Sequence, residues 1–198
     1  MHLEIKRQIV HATGVFSVLL ILIFGKFIAA ILMILIAVSF LLLAEYRKSK
    51  KISRLISSEP LKGLEDVIDE EIMEYERGDE FAFDGAIMFY LGSFLVTAVF
   101  EPSIAIASIA VLALCDSIST IVGYFHGKNK LFVNKKKSWE GSSAFFIMAF
   151  LVLIFFINPV EAIIVALLVT MVEMIPGVND NLSVPLATAV FLSLVLVL

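Results

Sequence analysis

Thiol chemistry is nearly absent: Cys115 is the single cysteine of the chain, which rules out an internal disulfide and a zinc cluster built on thiolates. It reads as a small apolar residue packed beside Asp116. Histidine is scarce too. His2, His11 and His126 stand in no HExxH or paired-ligand spacing, so a histidine-rich metal site has no support. A Walker A loop is missing: Gly123, Gly127 and Lys128 fit neither GxxxxGK[ST] nor GxGxxG, and phosphoryl chemistry here would not be that of a P-loop. Charge is the last shortage. Only 17% of the 198 residues are charged against 60% hydrophobic, and the mean hydropathy is +1.00. Such a balance excludes an ordinary soluble core and predicts an all-α, polytopic membrane protein. The length suits one integral-membrane domain, residues 1–198.

What is there is long apolar runs. The first follows a short charged start, MHLEIKRQ, and extends to about Phe24. A basic start before an apolar stretch can imitate a signal peptide, but the pattern resumes after Gly25-Lys26, which predicts a retained first span and a hairpin into the second. That second span, roughly Phe27 to Ala44, ends in a basic flank of Arg47, Lys48, Lys50, Lys51 and Arg54. Leu61, Leu64, Ile68, Ile72 and Tyr75 then recur at helical spacing opposite an acidic face, which predicts an amphipathic helix outside the membrane. Phe83 to Phe100 is a third span, with Gly85 and Gly92 at i, i+7 for close helix contact. The fourth carries Asp116, and Gly141 to Ile157 is the fifth. Asn158-Pro159 turns the chain into a sixth, ending at Pro176-Gly177, and Val184 to Leu198 is the seventh. The last two hold about 16 apolar positions each, short of the ~20 that cross a bilayer untilted. Short spans beside the polar knot VNDNLS point to a thinned membrane or a water-filled cavity.

Seven spans with the N-terminus inside and the C-terminus outside put every lysine and arginine but Lys26, of 15 in all, on the cytosolic side. The positive-inside rule thus sets the orientation, and the polar groups open to the cytosol. Membrane topology accounts for most of the lysines, so no nucleic acid partner is expected, and a homo-oligomer is left open.

Asp116, Ser119, Thr120, Gly123 and Gly127 follow i, i+3, i+4, i+7, i+11 and share one helix face. A carboxylate about nine positions from the helix end lies roughly 13 Å along the axis, a costly depth that marks a functional-site candidate with a partner. In the first span Glu4, Arg7, His11 and Gly14 also share a face. Two readings stand side by side: interfacial anchoring by Arg7 with His11 a satisfied interior group, or both at the mouth of a polar site. Gly141, Ser142 and Ser143 open the fifth span from the cytosol beside Lys137, and free N–H groups at such a helix start suit a phosphate. The knot Asn179-Asp180-Asn181-Leu182-Ser183 repeats that geometry, with Asn181 or Ser183 as the expected cap and Asp180 left over. Asp116 and Asp180 are two oxygen ligands on separate helices, the sort of pair that with substrate phosphates holds Mg²⁺. Carboxylate pairs also serve as proton relays in transporters, so the pair alone leaves both open.

The blocks EIKRQIVHATG, DSISTIVGYFHGK, KKKSWEGSSAFF and EMIPGVNDNLSVPL, in that order, resemble the CTP-dependent lipid kinases: dolichol kinase, phytol kinase and CTP-dependent diacylglycerol kinase. That resemblance implies transfer of the γ-phosphate of CTP to a lipid hydroxyl at the cytosolic face, carried by Asp116, Gly123, Gly127, Lys137, Glu140, Gly141, Asp180 and Asn181. Around them Arg7, His11, Ser119, Thr120, Lys128, Ser142 and Asn179 complete the nucleotide-binding set. Mg²⁺ would sit on Asp116 and Asp180, and the acceptor would come sideways from the bilayer between Phe- and Leu-rich spans. The related phosphatidate cytidylyltransferases end in a longer signature that this sequence lacks. The rival reactions are cytidyl transfer to give a CDP-lipid and, in a different class, ion-coupled transport. The latter expects polar groups on both sides of the midplane and inverted repeats, which the sequence does not show.

Overall fold

The computed structural model describes residues 2–56 and 83–197, and the predicted amphipathic helix over 61–75 lies outside them. The described residues are helical throughout, apart from turns and one isolated antiparallel bridge between Lys130 and Ser138. Helix α1 is His2–Thr13, followed by a 3-10 turn, Gly14–Phe16; α2 is Ser17–Ile56. Asp84–Val99 is α3, Pro102–His126 is α4 and Trp139–Leu153 is α5. Pro159–Glu173 is α6 and Asp180–Val197 is α7.

Local chemistry sets most of these boundaries. Pro102 and Pro159 begin α4 and α6, where a missing N–H costs nothing and φ is already helical. Asn158 caps α6 by accepting from the Glu161 N–H at 3.0 Å, and Ser138 caps α5 by accepting from the Gly141 N–H at 3.2 Å. Helix α2 is broken at Gly25, whose φ of 75° and ψ of 168° lie outside the helical region. The apolar stretch across that break, Ile5–Tyr46, has 42 residues. At ~1.5 Å per residue such a stretch would be about twice as long as a ~30 Å hydrocarbon core. The chain enters α7 earlier than the apolar pattern predicts, at Asp180 instead of Val184, and the cap is Asn179. Its Oδ1 accepts from the Asn181 N–H at 3.1 Å, so neither Asn181 nor Ser183 does the capping. Three consecutive capping-competent residues leave that choice to tertiary packing.

Helix α4 is the axis of the molecule. Its most apolar 18-residue window is 61% buried, against 28% in the stretches around α2 and in α7, so protein surrounds α4 while the others turn apolar faces outward. Small buried side chains, among them Ala105, Ala107, Ser108, Ala113 and Ser117, let neighbours come close. The predicted glycine face of α3 meets α7: a Cβ on Gly92 would lie 2.4 Å from the Asn181 carbonyl oxygen. Pro185, inside α7, has no N–H to offer that carbonyl four residues back. Among the described residues three helices, Ile5–Tyr46 taken as one, Pro102–His126 and Asp180–Val197, are long and apolar enough to cross a membrane, and α3 and α5 are shorter apolar helices.

Candidate functional site

One cavity of about 1360 Å³ gathers side chains from every part of the described chain. Arg7 and His11 come from α1, Asp84 from α3, and Asp116, Ser119, Thr120 and Gly123 from α4. Lys137, Gly141 and Ser142 come from the start of α5, Glu173 from the end of α6, and Asn179, Asp180 and Asn181 from the start of α7. Gly127, Lys128 and Glu140 do not line it. Gly127 follows the last residue of α4 and closes that helix by donating to Gly123 O at 3.1 Å. A Cβ there would lie 2.2 Å from the same oxygen, so the tight exit needs glycine. Glu140 faces the loop, where Oε1 accepts from the Asn129 side chain at 2.8 Å and from its N–H at 3.1 Å. Both residues shape the loop that carries Lys137.

Lys137 is the hub of the polar floor. Its Nζ donates to Glu173 Oε1 at 2.7 Å and Asp180 Oδ2 at 2.8 Å, and also to the Glu173 carbonyl. Ser142 donates to the other Glu173 oxygen at 2.9 Å. Burial alone would lower the Lys137 pKa, but the Asp180 and Glu173 carboxylates outweigh it and hold the ammonium above its ordinary 10.5. The ammonium charge therefore persists at all lower pH and is lost only as pH climbs through that raised value, so Lys137 serves as a fixed cation and not as a base. Glu173, 3% exposed, is a site residue that the sequence reading did not single out. The signal was a lone carboxylate in the last turn of an apolar helix, where the helix dipole disfavours it unless a cation stands nearby.

Asp116 lines the same cavity. Its Oδ2 faces His11 Nε2 at 3.4 Å, longer than a good N–H···O bond, and the His11 ring rests edge-on against Phe89 at 5.5 Å. Asp116 and Asp180 lie within electrostatic reach of each other. Two buried acceptors on α7, Asp180 Oδ1 and Asn181 Oδ1, have no hydrogen-bond partner. Oxygens with spare lone pairs beside carboxylates fit a hard divalent cation. Among the described residues no group of three or more His, Cys, Asp or Glu could hold a metal alone.

The two helix starts are less open to an anion than their sequences suggest. The Gly141 N–H is taken by Ser138 Oγ, Ser142 N–H by Ser138 O and Trp139 N–H by Asn129 O. On α7 the N–H groups of Asn181, Leu182 and Ser183 all bond to Asn179. Positive charge for a polyphosphate is left to side chains: Arg7, Lys130, Lys135 and Lys136 also line the cavity.

The chain is 35% identical over 124 residues to a wheat (Triticum aestivum) protein named "Probable phytol kinase, chloroplastic", a match covering 52% of this chain and 41% of that one. Phytol kinase 1, chloroplastic, of Arabidopsis thaliana is 33% identical over 122 residues, covering 51% and 40%. A Glycine max protein named "Probable phytol kinase 2, chloroplastic" is 38% identical over 106 residues, covering 44% and 36%. The matches thus span about two fifths of the length of these curated relatives. No family model matches the chain, and no solved structure does. Over about half its length the chain is thus similar to proteins named as phytol kinases.

Proposed function

We propose that this protein is a lipid kinase that moves the γ-phosphate of CTP onto the hydroxyl of a membrane-borne alcohol of the polyprenol or diacylglycerol type, releasing CDP. The observation that carries the reading is the convergence of Asp116, Lys137 and Asp180, from three separated segments, in one cavity with a cationic rim. Phosphoryl transfer needs little covalent help from a protein and much positioning and charge neutralisation, and this floor supplies both. Lys130, Lys135, Lys136 and Arg7 meet the polyphosphate, while the Lys137 ammonium fixes Asp180 and Glu173 in place. Asp116, Asp180 and Asn181 are the residues that would hold Mg²⁺, which when bound neutralises charge on the phosphate oxygens. The choice of cytosine rests on the motif resemblance.

The single domain is read as seven spans with the cavity on the cytosolic side, supported by the lysine and arginine distribution. Single cysteines at Lys26 and Ser49, in a Cys115-free background, should label from opposite faces; labelling of both from the same face would end that topology.

The decisive test uses purified protein, Mg²⁺, phytol or a mixed lipid extract, and CTP labelled at either the α or the γ phosphate. The expected result is γ label in lipid and CDP in solution. Label from the α position with release of pyrophosphate would make the protein a cytidylyltransferase, and folded protein that moves neither label would favour transport. ATP and GTP run in parallel test the cytosine preference.

A further inference from the structure

The cavity has a second, chemically different wall. Val10 of α1, Gly14 of the 3-10 turn, Phe40 of α2, and Phe83, Phe89 and Tyr90 at and within α3 line it. Their rings form an unbroken series. Phe83 and Phe40 have centroids 5.5 Å apart, Phe40 and Tyr90 stack at 6.1 Å and 20°, and Tyr90 meets Phe89 edge-on at 5.4 Å. Phe89 then meets His11 at 5.5 Å, and His11 faces Asp116 across 3.4 Å. An aromatic surface therefore leads from α2 directly to one of the two site carboxylates.

Two backbone features show how closely this wall is set. Phe83 has φ 63° and ψ 15°, a left-handed conformation that a bulky side chain adopts only when its surroundings impose it. At Gly14 a Cβ would lie 2.4 Å from the Phe89 ring, so glycine lets α1 close on α3 there. The wall also reaches the outside of the molecule. Val10 is 59% exposed, next to Ile9 at 58%, on a helix stretch apolar enough for the bilayer.

Resting on the lipid kinase reading, we propose that this wall seats the hydrocarbon chain of the acceptor, which slides in from the bilayer past α1 and presents its hydroxyl at Asp116. The phosphate donor is then met by the lysines of the loop before α5. The polarity of the two sides separates the substrates. A hydrocarbon chain needs only contact area and exclusion of water, which rings provide. Of the rings Phe83, Phe40, Tyr90 and Phe89 only Tyr90 carries a polar atom, so the rings themselves satisfy little of a nucleotide base's hydrogen-bonding edge. Phe40 and Phe83 are on this reading specificity residues for the chain of the alcohol.

The test pairs kinetics with direct capture. For Phe40→Ala we expect KM for phytol to rise about tenfold or more, with KM for CTP and kcat at saturating phytol little changed, and with turnover of a short, water-soluble alcohol unaffected. A rise in KM for CTP with phytol KM unchanged would assign the wall to the nucleotide and overturn the proposal. Capture does not depend on catalysis: a photoreactive phenylalanine analogue at position 40, irradiated with tritiated phytol, should crosslink saturably and undiminished by CTP. The same analogue at Phe27, an outward-facing site 81% exposed, should give only unsaturable background. Labelling at position 40 no higher than at 27 would overturn the proposal even if γ-phosphate transfer is observed. Saturable capture without any transfer would instead sink the kinase reading and leave the lipid seat standing.

Discussion

Lys137 and Asp116 line the same cavity and are held in very different ways. Around Lys137 the bonds are short and interlocked: two carboxylates, a carbonyl and a serine hydroxyl join the loop after α4 to the end of α6 and the start of α7. Asp116 meets His11 across a longer gap, backed by rings. The first arrangement resembles a keystone, whose members are needed for each other before any substrate arrives. The second leaves a carboxylate facing open cavity, where a substrate group must fit. On the proposed reading, preorganisation is concentrated where the phosphate donor binds and adaptability where the lipid hydroxyl arrives.

Mutations can break that contrast, and the largest effect is expected at the hub. Lys137→Ala strands Glu173 and Asp180 as neighbouring, poorly hydrated carboxylates. Removing one partner from a buried ion pair costs about 3 kcal/mol or more, so both thermal stability in detergent and transfer activity should collapse together. A variant that keeps its melting temperature while losing activity would show Lys137 to be catalytic without being structural. Asp116→Asn should do what Lys137→Ala should not: transfer falls by about 100-fold or more, while the melting temperature stays close to that of the unmodified protein. If the asparagine variant melts early, the two sides are not differently built and the contrast fails. Ser142→Ala is the smallest of the three. It removes one hydrogen bond to a carboxylate that keeps Lys137, for about 1 kcal/mol of stability and a modest loss in rate, measured by denaturation and initial rates. A 100-fold loss would place Ser142 in contact with the reacting groups.

The polar stripe of α4 was legible because its spacing is a property of one helix: Asp116, Ser119, Thr120 and Gly123 must share a face wherever the helix goes, and all four line the cavity. The meeting of Asp180 with Lys137 was legible only as a shared membrane side, since nothing local fixes which of three adjacent polar residues turns inward. Glu173 escaped notice because a single carboxylate after a long apolar run reads as a helix end, and its partner lies 36 residues earlier. The aromatic wall was the least visible. Phe40 and Phe83 come together through the packing of α2 on α3, a register set by no turn signal and no period. The two helix starts show the opposite error: their sequences advertise free N–H groups, but Ser138 and Asn179 sit just upstream and take them.

The span of the Lys137 knot along the chain also bears on how the protein is made. Its partners lie 36 and 43 residues downstream, and Asn134 in the same loop donates to Met174 O, 40 residues on. During synthesis the loop is therefore exposed, lysine unmatched, while α5, α6 and the start of α7 are still to be delivered. The phosphate side of the cavity closes only when Asp180 emerges, whereas His11, Phe89 and Asp116 are all in place well before. On the proposed reading, the residues of the lipid side are all synthesised before those of the nucleotide side, and a ribosome stalled between Glu173 and Asp180 would hold a nascent protein that still lacks a carboxylate of the Lys137 knot.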